Sequence, residues 1–191
     1  FNIDLKSLAT AHAAAVKRGE RPRAIIAVDL FGMPADWRAL NDFAAAHKLV
    51  LIADAAQSFG AINADGRHVG TLAPITTTSF FPAKPLGCYG DGGAIFTEDD
   101  GLAAIMRSIR VHGQGQEKYE TVRIGMNSRL DTLQAAILLA KIGVFAEETE
   151  RRNKLADAYG ERIGNTVEVP HKPEGVTSAW AQYTIKIDER D

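Results

Sequence analysis

Residues 23–54 read RAIIAVDLFGMPADWRALNDFAAAHKLVLIAD. A short run of branched and small apolar residues, RAIIAV, opens the stretch at 23–28, and a second, KLVLIA, closes it at 48–53. Runs of this length and composition are typical of strands buried on both faces of a parallel sheet. Between them, residues 37–46 carry their apolar side chains at helical spacing. Strand, helix and strand in that order form a βαβ unit, and such units build a largely parallel sheet.

The same alternation continues to either side. Residues 5–17 have helical spacing, with Asp4 as N-cap and Gly19 as the stop. INADGRHVG, residues 62–70, holds an Asp65-Gly66 turn signal and predicts a small hairpin. ITTTSF (75–80) reads as a third strand and GAIFT (93–97) as a fourth, with Thr97 capping a helix that ends near Arg110. Residues 111–128 are polar and aperiodic, and a loop of that length in a compact domain is more often functional than idle. From Leu130 to about Arg162 the pattern is helical again, with a bend expected at Gly143. That helix carries the chain out of a first domain near residue 145, and AQYTIKI (181–187) begins a second.

Bulk properties narrow the function. A chain of 191 residues can bury roughly 70% of its unfolded surface, enough for a sizeable core without disulfides. The formal charge of −2 favours neither a nucleic-acid nor an anionic-membrane partner. No apolar run approaches the roughly 18 residues that span a bilayer, and no signal peptide is recognisable. The single cysteine, Cys88, fits a reducing compartment such as the cytoplasm, and a small buried hydrophobe is its expected role. The chain opens on Phe1 rather than Met and reads as a piece of a longer protein.

In parallel α/β sheets, ligands gather beyond the carboxyl ends of the strands. Asp54 follows KLVLIA, Ser79 closes the third strand, and Lys84 lies in the loop after it, between Pro82 and Pro85. Taken singly, a strand-end Asp is usually a turn former, a strand-end Ser is bonded to backbone, and a lysine is solvated. Together they are the residue types that pyridoxal phosphate needs: an amine to hold its aldehyde, a carboxylate to keep its ring nitrogen protonated, and donors for its phosphate. The lysine attacks only without its proton, so a fixed and sheltered position suits it. Gly87, Gly90, Gly92 and Gly93 would let backbone approach a ligand. Competing chemistries are weak. The five histidines lack metal-ligand spacing, Cys88 has no CxxC partner, and no GxxxxGK[ST], GxGxxG or GxSxG is present.

Three strings in fixed order carry a family resemblance: ADAAQSFGA (53–61), TTSFFPAKPLGCYGDGGAIFT (77–97) and GMNSRLDTLQAAIL (125–138). Together they resemble the DegT/StrS-type sugar aminotransferases, fold-type I pyridoxal-phosphate enzymes of nucleotide-sugar biosynthesis. The resemblance implies a large domain with a mostly parallel central sheet flanked by helices, of which residues 1–145 would be part. Residues 146–191 would be the connecting helix and the start of a smaller C-terminal domain. By position, Lys84 would carry the cofactor as a Schiff base, Asp54 would pair with the ring nitrogen, and Gln57 would contact the ring or its hydroxyl. Ser79 would bind the phosphate, and Asn127 would reach the phosphate of the neighbouring subunit's cofactor in a homodimer.

Two positions depart from the family pattern. Pro85 stands where many members have Asn, and Asp29 where many have His, which weakens a substrate role at that position. The wording of the second and third strings is most similar to the branch acting on UDP-linked 3-keto-N-acetylglucosamine uronic acid, in bacterial surface polysaccharide (O-antigen) synthesis. Glutamate is the implied amino donor. Arg129 is then the natural partner for the sugar carboxylate, with an interface ion pair as the equal alternative. Aminotransfer to a 4-keto-6-deoxy sugar and sugar dehydration on the same fold are the neighbouring readings. In the resembling dehydratases a histidine replaces the lysine.

Overall fold

The computed structural model describes residues 1–117 and 119–188. Helix α1 spans Leu5–Lys17, with the Asp4 carboxylate accepting from Ser7 N at 2.7 Å as the expected cap. Strand β1 (Ala24–Val28), helix α2 (Trp37–His47) and strand β2 (Val50–Asp54) follow as the βαβ unit. Strands β3 (Ile75–Ser79) and β4 (Gly93–Phe96) complete one sheet in the order β1-β2-β3-β4. β1 pairs in parallel with β2, placing Val28 opposite Asp54, and β2 pairs in parallel with β3, placing Asp54 opposite Thr77. β4 is antiparallel to β3, with Ser79 opposite Gly93. Helices α3 (Asp100–Arg110) and α4 (Thr132–Ile163) complete the order.

Several local expectations change. The cap of α3 is Asp99, whose carboxylate accepts from Leu102 N at 2.8 Å; the Thr97 hydroxyl accepts only from Asp99 N. Thr97 lies just past β4 and three positions before the first helical residue, so Asp99, directly before α3, takes the helix terminus. α4 runs unbroken through Gly143, where an added Cβ would meet open space; one exposed glycine costs about 1 kcal/mol of propensity, too little to break a 32-residue helix. At the Asp65-Gly66 turn the expected hairpin closes with a single bridge between Ile62 and His68. AQYTIKI contributes one bridge, Lys186 with Glu168.

The strands are also not buried on both faces. Ile25, Ala27, Leu51 and Ala53 face a core completed by Trp37, Leu40 and Ala44 of α2, while Ile26 on the opposite face is 65% exposed. A second cluster lies under the loop after β3. Phe80, Leu86, Cys88, Leu138 and Phe145 are its buried members, and Phe59 stacks between Phe96 and Phe145. Because Leu138 and Phe145 belong to α4, this cluster anchors that helix to the loop that holds Lys84. Past α4 the chain returns to the end of β1. Ser178 Oγ and Ala179 N both donate to Gly32 O, at 2.8 and 2.9 Å. Gly32 has φ +98°, and a Cβ there would stand 2.6 Å from Trp180 N, so only glycine admits the returning segment.

Candidate active site

The parallel register sets the site. Asp54 is the last residue of β2 and Ser79 the last of β3, so carboxylate and hydroxyl stand on the carboxyl edge of adjacent strands. The loop with Lys84 begins at that edge. It is closed by Phe80 N donating to Gly92 O at 2.7 Å and Cys88 N donating to Phe80 O at 2.8 Å. The Cys88 thiol, fully buried, lies within hydrogen-bond distance of both Phe80 O and Gly90 O, which share its single proton. Topology thus sets Asp54 and Ser79 on one sheet edge and starts the loop of Lys84 there, although 30 positions separate Asp54 from Lys84 in the chain.

Each group keeps bonding capacity for a ligand. One oxygen of Asp54 accepts from Ala56 N at 3.0 Å, and the other has no partner among the described residues. Ser79 Oγ accepts from Phe81 N at 3.2 Å, leaving its proton to donate outward. Lys84 is half-buried, and its amine has no hydrogen-bond or ion-pair partner among the described residues. Gln57 Oε1 accepts from Phe31 N at 2.6 Å, which leaves its amide nitrogen as the donor. Phe31 has φ +60°, a strained backbone for an aromatic residue, held by this bond. A carboxylate, a hydroxyl, an amide and a sheltered amine at one sheet edge are the donor set pyridoxal phosphate requires, so the residues fit that group. Among the described residues no cluster of His, Cys, Asp and Glu could hold a metal ion.

Asn127 and Arg129 stand apart. Both are exposed, Arg129 Nε donates to Asn127 Oδ1 at 3.2 Å, and neither bonds to Asp54, Gln57, Ser79 or Lys84. Their link to the site is Leu130, whose side chain packs against Gly92. No carboxylate among the described residues pairs with Arg129. The four glycines after Lys84 serve the protein itself. Gly87 abuts the carbonyls of Phe81 and Pro82, Gly90 the amide of Gln134, Gly92 the side chain of Leu130, and Gly93 the carbonyl of Thr78. At Gly87 and Gly93 a Cβ would meet backbone carbonyls within 2.7 Å, whether or not a ligand comes near.

Sequence reasoning missed what Asp29 does. It is fully buried at the end of β1 and accepts from Ala35 N (2.7 Å), Trp37 Nε1 (2.8 Å) and Ser58 Oγ (2.8 Å). It therefore pins the β1–α2 loop to the segment that carries Gln57. Burial pushes its carboxyl up from 3.8 to about 6, against the pull of those donors and with a smaller push from Asp54. The folded carboxyl then binds its proton at higher pH than the unfolded one, so this stability is full below about pH 4 and is lost as pH rises through about 6. Asp29→Asn removes that slope. Denaturant unfolding from pH 4 to 7 should show the wild-type curve falling relative to the variant by roughly 2 kcal/mol. Parallel curves would contradict a carboxyl that gains its proton on folding.

A mixed sheet with three parallel strands and one antiparallel, bearing a lysine loop, a strand-end carboxylate and a strand-end hydroxyl at its carboxyl edge, is the architecture of the fold-type I aminotransferases. All of residues 1–191 match the DegT/DnrJ/EryC1/StrS aminotransferase family, and the chain belongs to it. It is 48% identical over 174 residues to the UDP-2-acetamido-2-deoxy-3-oxo-D-glucuronate aminotransferase of Pseudomonas aeruginosa, covering 90% of this chain and 47% of that protein. It is 45% identical to a pleiotropic regulatory protein of Geobacillus stearothermophilus, covering all of this chain and 50% of that one. Among solved structures, a DegT DnrJ EryC1 StrS aminotransferase from Brucella abortus superposes with a TM-score of 0.94 at 47% identity, over 97% of this chain and 50% of that one. The chain spans about half the length of the relatives it matches.

Proposed function

We propose that the protein containing this chain is a pyridoxal-phosphate-dependent aminotransferase that moves an amino group from glutamate to a keto nucleotide sugar. UDP-2-acetamido-3-keto-glucuronate, a precursor of bacterial surface polysaccharide, is the acceptor we favour. The observation that carries the reading is the half-buried, unpaired Lys84 amine on the same sheet edge as the free oxygen of Asp54. The 48% identity to an enzyme named for that sugar supports the acceptor.

The bound cofactor supplies an electron sink for bonds broken at the substrate's amino carbon. Lys84 Nζ would hold its aldehyde and, when free, would serve as the general base that moves the proton at the substrate's amino carbon. Asp54 would keep the ring nitrogen protonated, Gln57 would donate to the ring hydroxyl, and Ser79 would donate to the phosphate. Asn127 acts across a homodimer on the neighbouring subunit's phosphate. In support, the loop of residues 111–128 carries apolar side chains that face outward, Val122, Ile124 and Met126 being 50%, 96% and 58% exposed, as suits a partner contact. Residues 1–145 belong on this reading to the large domain and 146–191 to the passage into a smaller one. A cytoplasmic location fits the single free thiol; among the described residues no helix is long and apolar enough to cross a membrane.

The test is turnover of a panel of keto nucleotide sugars by the intact protein with glutamate. Transfer should be fastest to the 3-keto uronate, and absence of transfer to every sugar would overturn the reading. Arg129 sharpens it. A sugar carboxylate entering a partly desolvated cleft needs a charged partner, and removing one member of such a pair costs about 2–5 kcal/mol. Arg129→Lys should raise KM for the uronate about 30-fold or more while leaving the matching neutral hexose and the glutamate half-reaction nearly unchanged. An equal loss for both sugars would make Arg129 structural.

A further inference from the structure

Helix α4 makes hydrogen bonds to three alternate residues of the Lys84 loop, Pro85, Gly87 and Tyr89. Arg152 Nη2 donates to Pro85 O at 3.4 Å, Lys141 Nζ donates to Gly87 O at 2.5 Å, and Gln134 Oε1 accepts from Tyr89 N at 2.8 Å. The loop climbs from 85 to 89 while the helix contacts descend from 152 to 134. Spacings of 11 and 7 residues bring all three helix positions back to nearly the same azimuth at 3.6 residues per turn. The hydrophobic contacts of Leu138 and Phe145 fall between them, on the second core cluster. One face of α4 therefore grips the loop by both packing and polar ties.

Lys141 makes two contacts with the loop. Its Nζ donates to the buried Gly87 carbonyl and stands 5.9 Å from the centre of the Tyr89 ring. Gly87 lies in the tight turn of the loop, where a Cβ would stand 2.6 Å from Pro82 O and 2.7 Å from Phe81 O. Arg152 adds a second function. Its other nitrogen donates to Ala179 O at 3.4 Å, and Ala179 N donates to Gly32 O in the β1 loop, which Gln57 also holds. The helix thereby ties the loop of Lys84 to the loop beside Gln57.

We propose that Lys141, supported by Gln134 and Arg152, is a positioning residue that holds the Lys84 loop at the geometry proton transfer requires. This rests on Lys84 being the cofactor-bearing lysine. An amine that must both tether a ring and move a proton at a neighbouring carbon tolerates little displacement, since misplacement by about 1 Å can cost on the order of 100-fold.

The experiment compares wild type, Lys141→Met, Lys141→Arg and, as a control on the same helix, Lys154→Met, whose native lysine is exposed and paired with Glu150. Amide hydrogen exchange of residues 81–90 reads the clamp without any cofactor. The rise of visible absorbance when cofactor-free protein meets pyridoxal phosphate reads the Lys84 amine, and steady-state kinetics separate kcat from KM. In Lys141→Met, exchange of 81–90 should quicken, absorbance should rise about tenfold more slowly, and kcat should fall about tenfold with both KM values within about twofold. Lys141→Arg should recover most of each, and Lys154→Met should match wild type. Unchanged exchange in Lys141→Met overturns the clamp. Faster exchange with unaltered cofactor uptake and kcat overturns the positioning role. Wild-type protein that takes up no cofactor through Lys84 overturns the proposed function beneath it, and the positioning role with it, whatever the exchange result.

Discussion

Lys84→Ala should reduce amino transfer roughly 10⁴-fold or more while the protein stays folded. The size follows from two losses at once, the covalent hold on the cofactor and the general base, and the second alone is worth about 10²–10⁴. Among the described residues no other lysine lies in the loop at this sheet edge, so none takes over. Folding should survive because the loop is held by Phe80, Leu86 and Cys88, not by the lysine side chain. Turnover, with circular dichroism to check the fold, is the measurement. Activity within tenfold of wild type would remove Lys84 from the chemistry.

Asp54→Asn should preserve structure and lower kcat by at least about 100-fold, a few kcal/mol in the barrier. An amide is nearly the same shape and still accepts from Ala56 N, so the turn after β2 is kept. What it lacks is the charge that holds the ring nitrogen protonated, and without that proton the ring accepts electrons poorly. Single-turnover rates with glutamate isolate this step from sugar binding. Near-normal rates would show that the carboxylate's charge does no work.

The parts of this structure legible in the sequence are those governed by short-range pattern. Apolar runs located β1 and β2, the β-branched run ITTTSF located β3, helical spacing located α1, α2 and α4, and Asp4 capped its helix as expected. The strand ends then located Asp54, Ser79 and the Lys84 loop, because a parallel sheet aligns its carboxyl ends whatever lies between. What stayed hidden depends on partners distant in sequence. An all-apolar strand cannot say which face is covered, and only one face of RAIIAV is. Gly87, Gly90 and Gly92 looked ready for a ligand but are filled by neighbours that include Gln134 and Leu130, more than thirty positions away. Asp29 read only as a departure that weakened a substrate role, and its bonds from Trp37, Ser58 and Ala35 were not foreseen. The α4 clamp left a faint trace, polar residues 7 and 11 apart on a helix face that also carries Leu138 and Phe145. Nothing in a single sequence ties that face to residues 85–89.

Borohydride reduction of the cofactor-loaded protein, followed by peptide mapping, tests the central assignment most directly. Reduction makes the lysine–cofactor bond permanent, so the modified residue can be read by mass. The expected result is pyridoxyl phosphate on the peptide containing FFPAKPLG, residues 80–87, at Lys84. Cofactor fixed to any other lysine would contradict it, and with it the chemistry assigned to this sheet edge.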